Sequence, residues 1–136
     1  MGNRRFKPHS IYVICTVING LPSAPVKVGV AEKPEKRLPQ LQTGNPEKLA
    51  LYSEFILPNK SMTALMEKMF HQVEAKHSKN GEWSSLDPAK ATSMIELNII
   101  TASMGLSGQS YEDSAIFAHT SKVIHYIKAE GVRMSR

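Results

Sequence analysis

The chain has 136 residues, 41% hydrophobic and 21% charged, which fits one globular domain with a single core and excludes a disordered or low-complexity polymer. Its longest apolar runs, residues 11–15 (IYVIC) and 98–100 (NII), are far too short to span a bilayer, and no signal-like apolar segment follows Met1. The 17 lysines and arginines outnumber 12 acidic residues for a net charge of +5, which raises the prior for a polyanionic partner without naming it.

The single cysteine, Cys15, excludes an internal disulfide framework and a thiolate zinc cluster, and its apolar, β-branched surroundings mark it as a small core residue. A reducing, cytoplasmic compartment with no membrane attachment is the expectation.

Arg4, Arg5 and Lys7 form a basic lead-in closed by Pro8. Residues 10–17 (SIYVICTV) predict a strand, and residues 25–31 (PVKVGVA) a second, with Val26, Val28 and Val30 on one face and Lys27, Gly29 and Ala31 on the other. Asn19-Gly20, Pro22 and Pro25 between them predict an irregular loop joining an antiparallel pair. Pro34 suits the first turn of a helix bearing Leu38 and Leu41, which Pro39 should distort and residues 43–46 (TGNP) should stop.

Residues 49–57 (LALYSEFIL) predict a third strand ended by Pro58-Asn59. From Ser61, Met62, Leu65, Met66, Met69, Phe70 and Val73 follow the period of an amphipathic helix, whose apolar stripe belongs to the core. After Asn80-Gly81, residues 82–86 (EWSSL) read as short and extended. Asp87-Pro88 then caps a helix through Ala91, Met94, Ile95 and Ile99. A last helix is expected from Asp113 through Ile116, Phe117, Val123, Ile124 and Ile127 to Gly131. The order predicts an α+β fold with a small, mainly antiparallel three-stranded sheet flanked by helices and followed by a helical extension.

No Gly-rich phosphate loop, HExxH helix or GxSxG elbow is present, so any chemistry must come from a scattered set. Four polar positions stand out: Tyr12 in the first strand, Lys27 in the second, Arg37 on the short helix and Glu67 on the long one. Each taken alone has a structural reading. Tyr12 is a core residue with its hydroxyl at a rim, Lys27 and Arg37 lie on the surface, and Glu67 with His71 is an exposed i, i+4 pair.

Their order alters that balance. SIYVI, then VKVGVA, then RLPQLQTGNPEKLAL, an MEKMFH helix and GEW together resemble the GIY-YIG nuclease superfamily, and more narrowly its phage-type branch. The resemblance covers residues 10–86 and implies a nuclease domain over residues 10–95 with residues 96–136 as a helical extension packed on it. It implies a metal-dependent endonuclease hydrolysing DNA phosphodiester bonds. By the same resemblance, Tyr12, Lys27 and Arg37 are expected at catalytic positions, Glu67 is expected to bind Mg²⁺ or Mn²⁺, and His71 to orient that carboxylate or contact phosphate or metal.

Ser10 replaces the glycine of the superfamily's first motif and Lys27 its second tyrosine, so Lys27 is either an activating cation or itself the base, with Tyr12 as the other candidate if neighbouring positive charge lowers its pKa. Glu82 falls where relatives carry asparagine, and Trp83 reads as a packing lid. Residues 43–46 read as turn chemistry, His9 lies near enough to the first strand to reach the cleft, and His77, His119 and His125 show no partner. Two other classes stay open: a catalytically inactive nucleic-acid-binding module of the same fold, and an interaction domain that forms a homodimer through Ile116, Val123 and Ile127 of the last helix.

Overall fold

The computed structural model describes residues 7–74, 78–80 (backbone alone) and 83–125. Strands β1 (His9–Ile18) and β2 (Leu21–Ala31) form an antiparallel hairpin whose register pairs Ile18 with Leu21. The connection is therefore Asn19-Gly20 alone, both at positive φ (54° and 77°). Two successive left-handed residues give the turn whose twist matches that of paired strands, and Asn-Gly adopts it with little strain. The irregular loop expected across residues 19–25 is corrected accordingly. Pairing runs through Pro22 and Ser23, and a register shift at Cys15 and Thr16 leaves Ala24 and Pro25 out of the ladder, where Thr16 Oγ1 donates to the Pro25 carbonyl at 2.8 Å.

Helix α1 (Pro34–Gln42) follows, with proline at its start and Pro39 inside it, as the sequence predicts. Strand β3 (Lys48–Leu57) then pairs antiparallel with the free side of β1, so β1 lies between β2 and β3. The turn between α1 and β3 is tied by Gln42, whose amide donates to the Glu47 carbonyl at 2.8 Å and accepts from Leu49 N–H at 2.9 Å, while Asn45 Oδ1 accepts from Glu47 N–H. Those bonds, with Gly44 at φ 82°, give the QTGNP segment a complete structural explanation as a turn.

Helix α2 (Lys60–Glu74), strands β4 (Ser78–Asn80) and β5 (Trp83–Ser84), helices α3 (Pro88–Ser103) and α4 (Tyr111–Phe117) and strand β6 (Ser121–Ile124) complete the described chain. Asp87 caps α3 by accepting from the Ala89 and Lys90 amides. The sheet order is β4-β5-β2-β1-β3-β6, with every pairing antiparallel. The α+β class holds, but the three-stranded sheet is a correction: β4 and β5 extend it beyond β2, and β6 extends it beyond β3. The expected last helix stops at Phe117. Val123 and Ile124 lie instead in β6, opposite Glu54 and Ser53, because pairing with the open edge of β3 satisfies their backbone groups. Ile127 and Gly131 lie outside the described residues. Helix α3 runs unbroken through residues 95 and 96, where the nuclease domain was expected to give way to its extension.

The main core lies on one face of the sheet, where Ile11, Val13, Cys15, Val26, Val28 and Phe55 meet Met62, Met66 and Phe70 of α2 and Ile95 and Ile99 of α3. Burial pushes the Cys15 thiol up to about 11, so it stays a neutral packing group. The opposite face carries a smaller cluster of Tyr12, Ile14 and Leu49 under Leu38 and Leu41 of α1 and Trp83 of β5. None of the described helices is long and apolar enough to cross a membrane.

The predicted stripe of α2 is energetically uneven: Phe70 is wholly buried, whereas Val73 is 60% exposed. Phe70→Ala is expected to cost about 3–5 kcal/mol of unfolding free energy, and Val73→Ala less than about 0.5 kcal/mol, in denaturant titrations. Equal costs would remove α2 from the core described.

Candidate functional site

Alternation along β1 puts Tyr12 on the α1 face, opposite Gly29 of β2, and two pairs further along the same face Ile14 lies opposite Lys27. Gly29 decides how the tyrosine packs. A methyl group built there would stand 2.5 Å from the Tyr12 hydroxyl oxygen and 2.7 Å from Cζ, so only glycine lets the phenol end lie against the strand. Tyr12 is 2% exposed and Lys27 5%, which places a phenol and an amine inside the protein on adjacent strands.

Arg37 arrives from α1 above them. Its Nη1 donates to Gln40 Oε1 at 2.8 Å, one turn along the helix, and the guanidinium acts on the Tyr12 hydroxyl by hydrogen bonding and charge, both favouring the phenolate. Glu67 comes from α2, whose buried stripe packs on the other face of the sheet. Among the described residues, β2 is paired on its outer side only at Val26 and Lys27. The Glu67 carboxylate lies within electrostatic range of both buried groups.

Burial drives the electrostatics. It raises the pKa of Tyr12, against the hydrogen bond and charge of Arg37, and Glu67 adds to the rise. Neighbouring positive charge, from Arg37, does lower the Tyr12 pKa, but burial outweighs it and the net direction is upward. The phenol stays protonated at neutral pH. Burial lowers the Lys27 pKa, Arg37 lowers it further, and Glu67 opposes both.

Tyr12, Lys27, Arg37 and Glu67 come from four separate elements, and Arg37 and Glu67 both act electrostatically on the two buried groups. His71 is joined to them only through Glu67, its Nε2 3.8 Å from Oε2, while its ring meets Phe70 edge-on at 5.4 Å. Trp83 packs with the Tyr12 cluster as a lid would. It is held there by its neighbour Ser84, whose hydroxyl donates to the buried carboxylate of Glu74 at 2.5 Å and accepts from Leu86 N–H. Glu82 and His77 lie outside the described residues. His9 turns to Thr63, with 2.9 Å between Nδ1 and Oγ1, rather than to this cluster.

One carboxylate escaped the sequence reading. Glu54 stands opposite Tyr12 across β1 and β3, is 7% exposed, accepts from Ser10 Oγ at 2.8 Å and meets His125 Nε2 at 2.8 Å. His125, expected to lack a partner, has this one. The available signal was a carboxylate inside an otherwise apolar strand run, which burial tolerates only with bonding partners.

Among the described residues, no group of three or more His, Cys, Asp and Glu side chains is placed to hold a metal unaided. Glu67, with its side chain one-third exposed, offers a single accessible carboxylate. Mg²⁺ and Mn²⁺ keep several waters and take one or two carboxylates together with a substrate phosphate, so this donor set fits such a cation. Compared with protein-family models, curated proteins and solved structures, the chain finds no match in any of the three.

Two outcomes follow from this packing. Gly29→Ala is expected to destabilise the fold by about 1–3 kcal/mol, and most of that cost should vanish in a Tyr12→Ala background, read as a double-mutant cycle in denaturant. Independent costs would mean the two residues do not touch. Lys27→Met is expected to stabilise by on the order of 1 kcal/mol in thermal melts, because it removes a desolvated charge. The sign against pH is fixed. Folding holds the Lys27 pKa below its unfolded value, so between the two the unfolded chain binds more protons and stability rises with pH. Lys27→Met should flatten that rise.

Proposed function

We propose that the chain is a metal-dependent endonuclease that hydrolyses phosphodiester bonds in DNA, as its resemblance to GIY-YIG nucleases implies. The observation that supports this reading is that Tyr12 and Lys27, on adjacent inner strands of the sheet, both lie within electrostatic range of Arg37 and Glu67. A buried phenol, a buried amine, a guanidinium and a part-exposed carboxylate within mutual electrostatic range suit a phosphate better than a neutral substrate.

Each residue has a role that its surroundings support. Arg37 keeps its charge at any working pH, and its planar fork pairs with the non-bridging phosphate oxygens. Tyr12 orients that guanidinium through its hydroxyl oxygen and, being protonated, has its own O–H to donate. Lys27, with its pKa drawn downward, is better suited than Tyr12 to accept a proton from the attacking water. In the balanced step, water oxygen bonds to phosphorus, its proton passes to the Lys27 amine, the bond to the 3′ oxygen breaks and that oxygen is protonated from solvent. Glu67 would hold Mg²⁺ or Mn²⁺, which when bound offsets phosphate charge and stabilises the departing oxygen. His71 steadies Glu67 from one helical turn away.

Plasmid nicking tests this directly. The wild-type chain is expected to nick supercoiled DNA with Mg²⁺ or Mn²⁺ and to stop with chelator, while Glu67→Ala and Arg37→Ala slow nicking by about 10²–10³-fold. The rate should rise with pH through a limb below the ordinary lysine range, and Lys27→Arg, which cannot give up a proton, should lose both limb and activity. Retained activity in Lys27→Arg would assign that residue as a fixed cation. Intact plasmid under every condition would leave the non-cutting, nucleic-acid-binding module in its place.

A further inference from the structure

Antiparallel pairing brings the start of β1 beside the ends of β2 and β3, with Ser10 opposite Ala31 and His9 opposite Leu57. The helices that follow those two strands, α1 and α2, therefore both begin at this end of the sheet, and both aim their partly positive N-termini there. Two hollows lie across it. The first, about 290 Å³, is lined by Glu32, Lys33, Lys36 and Arg37, together with Ala31 and Gln40. The second, about 450 Å³, is lined by Lys7, His9 and Lys60, with Asn59 and again Glu32. Glu32 is the shared wall, so the hollows run on from one another, and Arg37 joins the first to the candidate site.

The lining is strongly one-signed. Glu32 is its one carboxylate and is paired with Lys7 at 2.8 Å. Lys33, Lys36 and Lys60 are exposed and make no ion pair among the described residues. Positive charge reaches His9 as well: after burial, Lys60 is the strongest influence lowering its pKa.

We propose that these two hollows form one track for a nucleic-acid strand, in which Lys33, Lys36 and Lys60 hold successive backbone phosphates leading away from the phosphate gripped by Arg37. This rests on the reading of the site as one that takes a phosphodiester. Recognition along the track is by charge and spacing, without base contacts, so it is independent of sequence and strongly salt-dependent.

The test is binding of a fluorescein-labelled 20-base-pair DNA duplex to the full chain in chelator, followed by anisotropy over a potassium chloride series. Lys36→Glu/Lys60→Glu, with one change in each hollow, is expected to bind at least about tenfold more weakly at 0.1 M salt. Its log–log salt slope should be shallower by about 2, near one unit per lost phosphate contact. Glu32→Gln should bind severalfold more tightly. Lys48→Glu/Lys90→Glu alters net charge equally at exposed positions outside the hollows, and should lose much less. Equal loss in both double variants, wild-type binding by the track variant, or no binding by the wild type overturns the track. Nicking with Mg²⁺ separates the two readings. A wild type that binds through the track but never nicks removes the nuclease and keeps the track, whereas a nicking enzyme whose binding ignores Lys36 and Lys60 does the reverse.

Discussion

The contact between the Tyr12 phenol and the bare backbone of Gly29 governs the arrangement around it. Because no side chain intervenes, a rigid ring can lie against the neighbouring strand with its hydroxyl oriented toward Arg37. That leaves α1 able to close over the face with Leu38 and Leu41. The same face carries Lys27, whose amine is kept from water. Both groups carry the cost of desolvation, which sets the direction of each shift, while the charges of Arg37 and Glu67 modify it.

That cost is concentrated on one face of the sheet. Burial of Lys27 disfavours its charged form, as does the neighbouring Arg37. The rest of the structure holds the arrangement in place: the Asn19-Gly20 turn fixes the register of β1 and β2, Asn45 and Gln42 fix the entry to β3, and Glu74 fixes β5 and Trp83 through Ser84. Rigid supports around a strained electrostatic centre are what a preorganised site requires.

Much of this was legible in the residues, for reasons that also explain the gaps. The methionine and phenylalanine stripe of α2 and the β-branched runs of β1 and β2 announce themselves because burial imposes a period. The candidate site was legible only as an ordered set of motifs, since no periodicity links Tyr12 to Glu67. What brings them together is a strand order in which β2 and β3 flank β1, and an outer side of β2 that β5 covers over two residues. Strand β6 was missed because Val123 and Ile124 fit a helix with Ile116 and Phe117 as well as they fit a strand. Its partner lies some seventy positions earlier, and local pattern carries no such information. Glu54 was missed for the related reason that its bonding partners, Ser10 and His125, come from distant parts of the chain.

The buried carboxylate of Glu54 has one more consequence, which concerns the order of assembly. Strands β1, β2 and β3 are near neighbours in the chain and can pair after short loop closures, whereas β6 must return from beyond α3 and α4. Without β6, the outer margin of β3 from Ser53 to Ile56 has an open row of backbone groups. A charge seated in the middle of that margin discourages pairing with another chain, and when β6 docks, His125 takes up the same carboxylate. Glu54 thus guards an unfinished sheet and afterwards clasps the finished one.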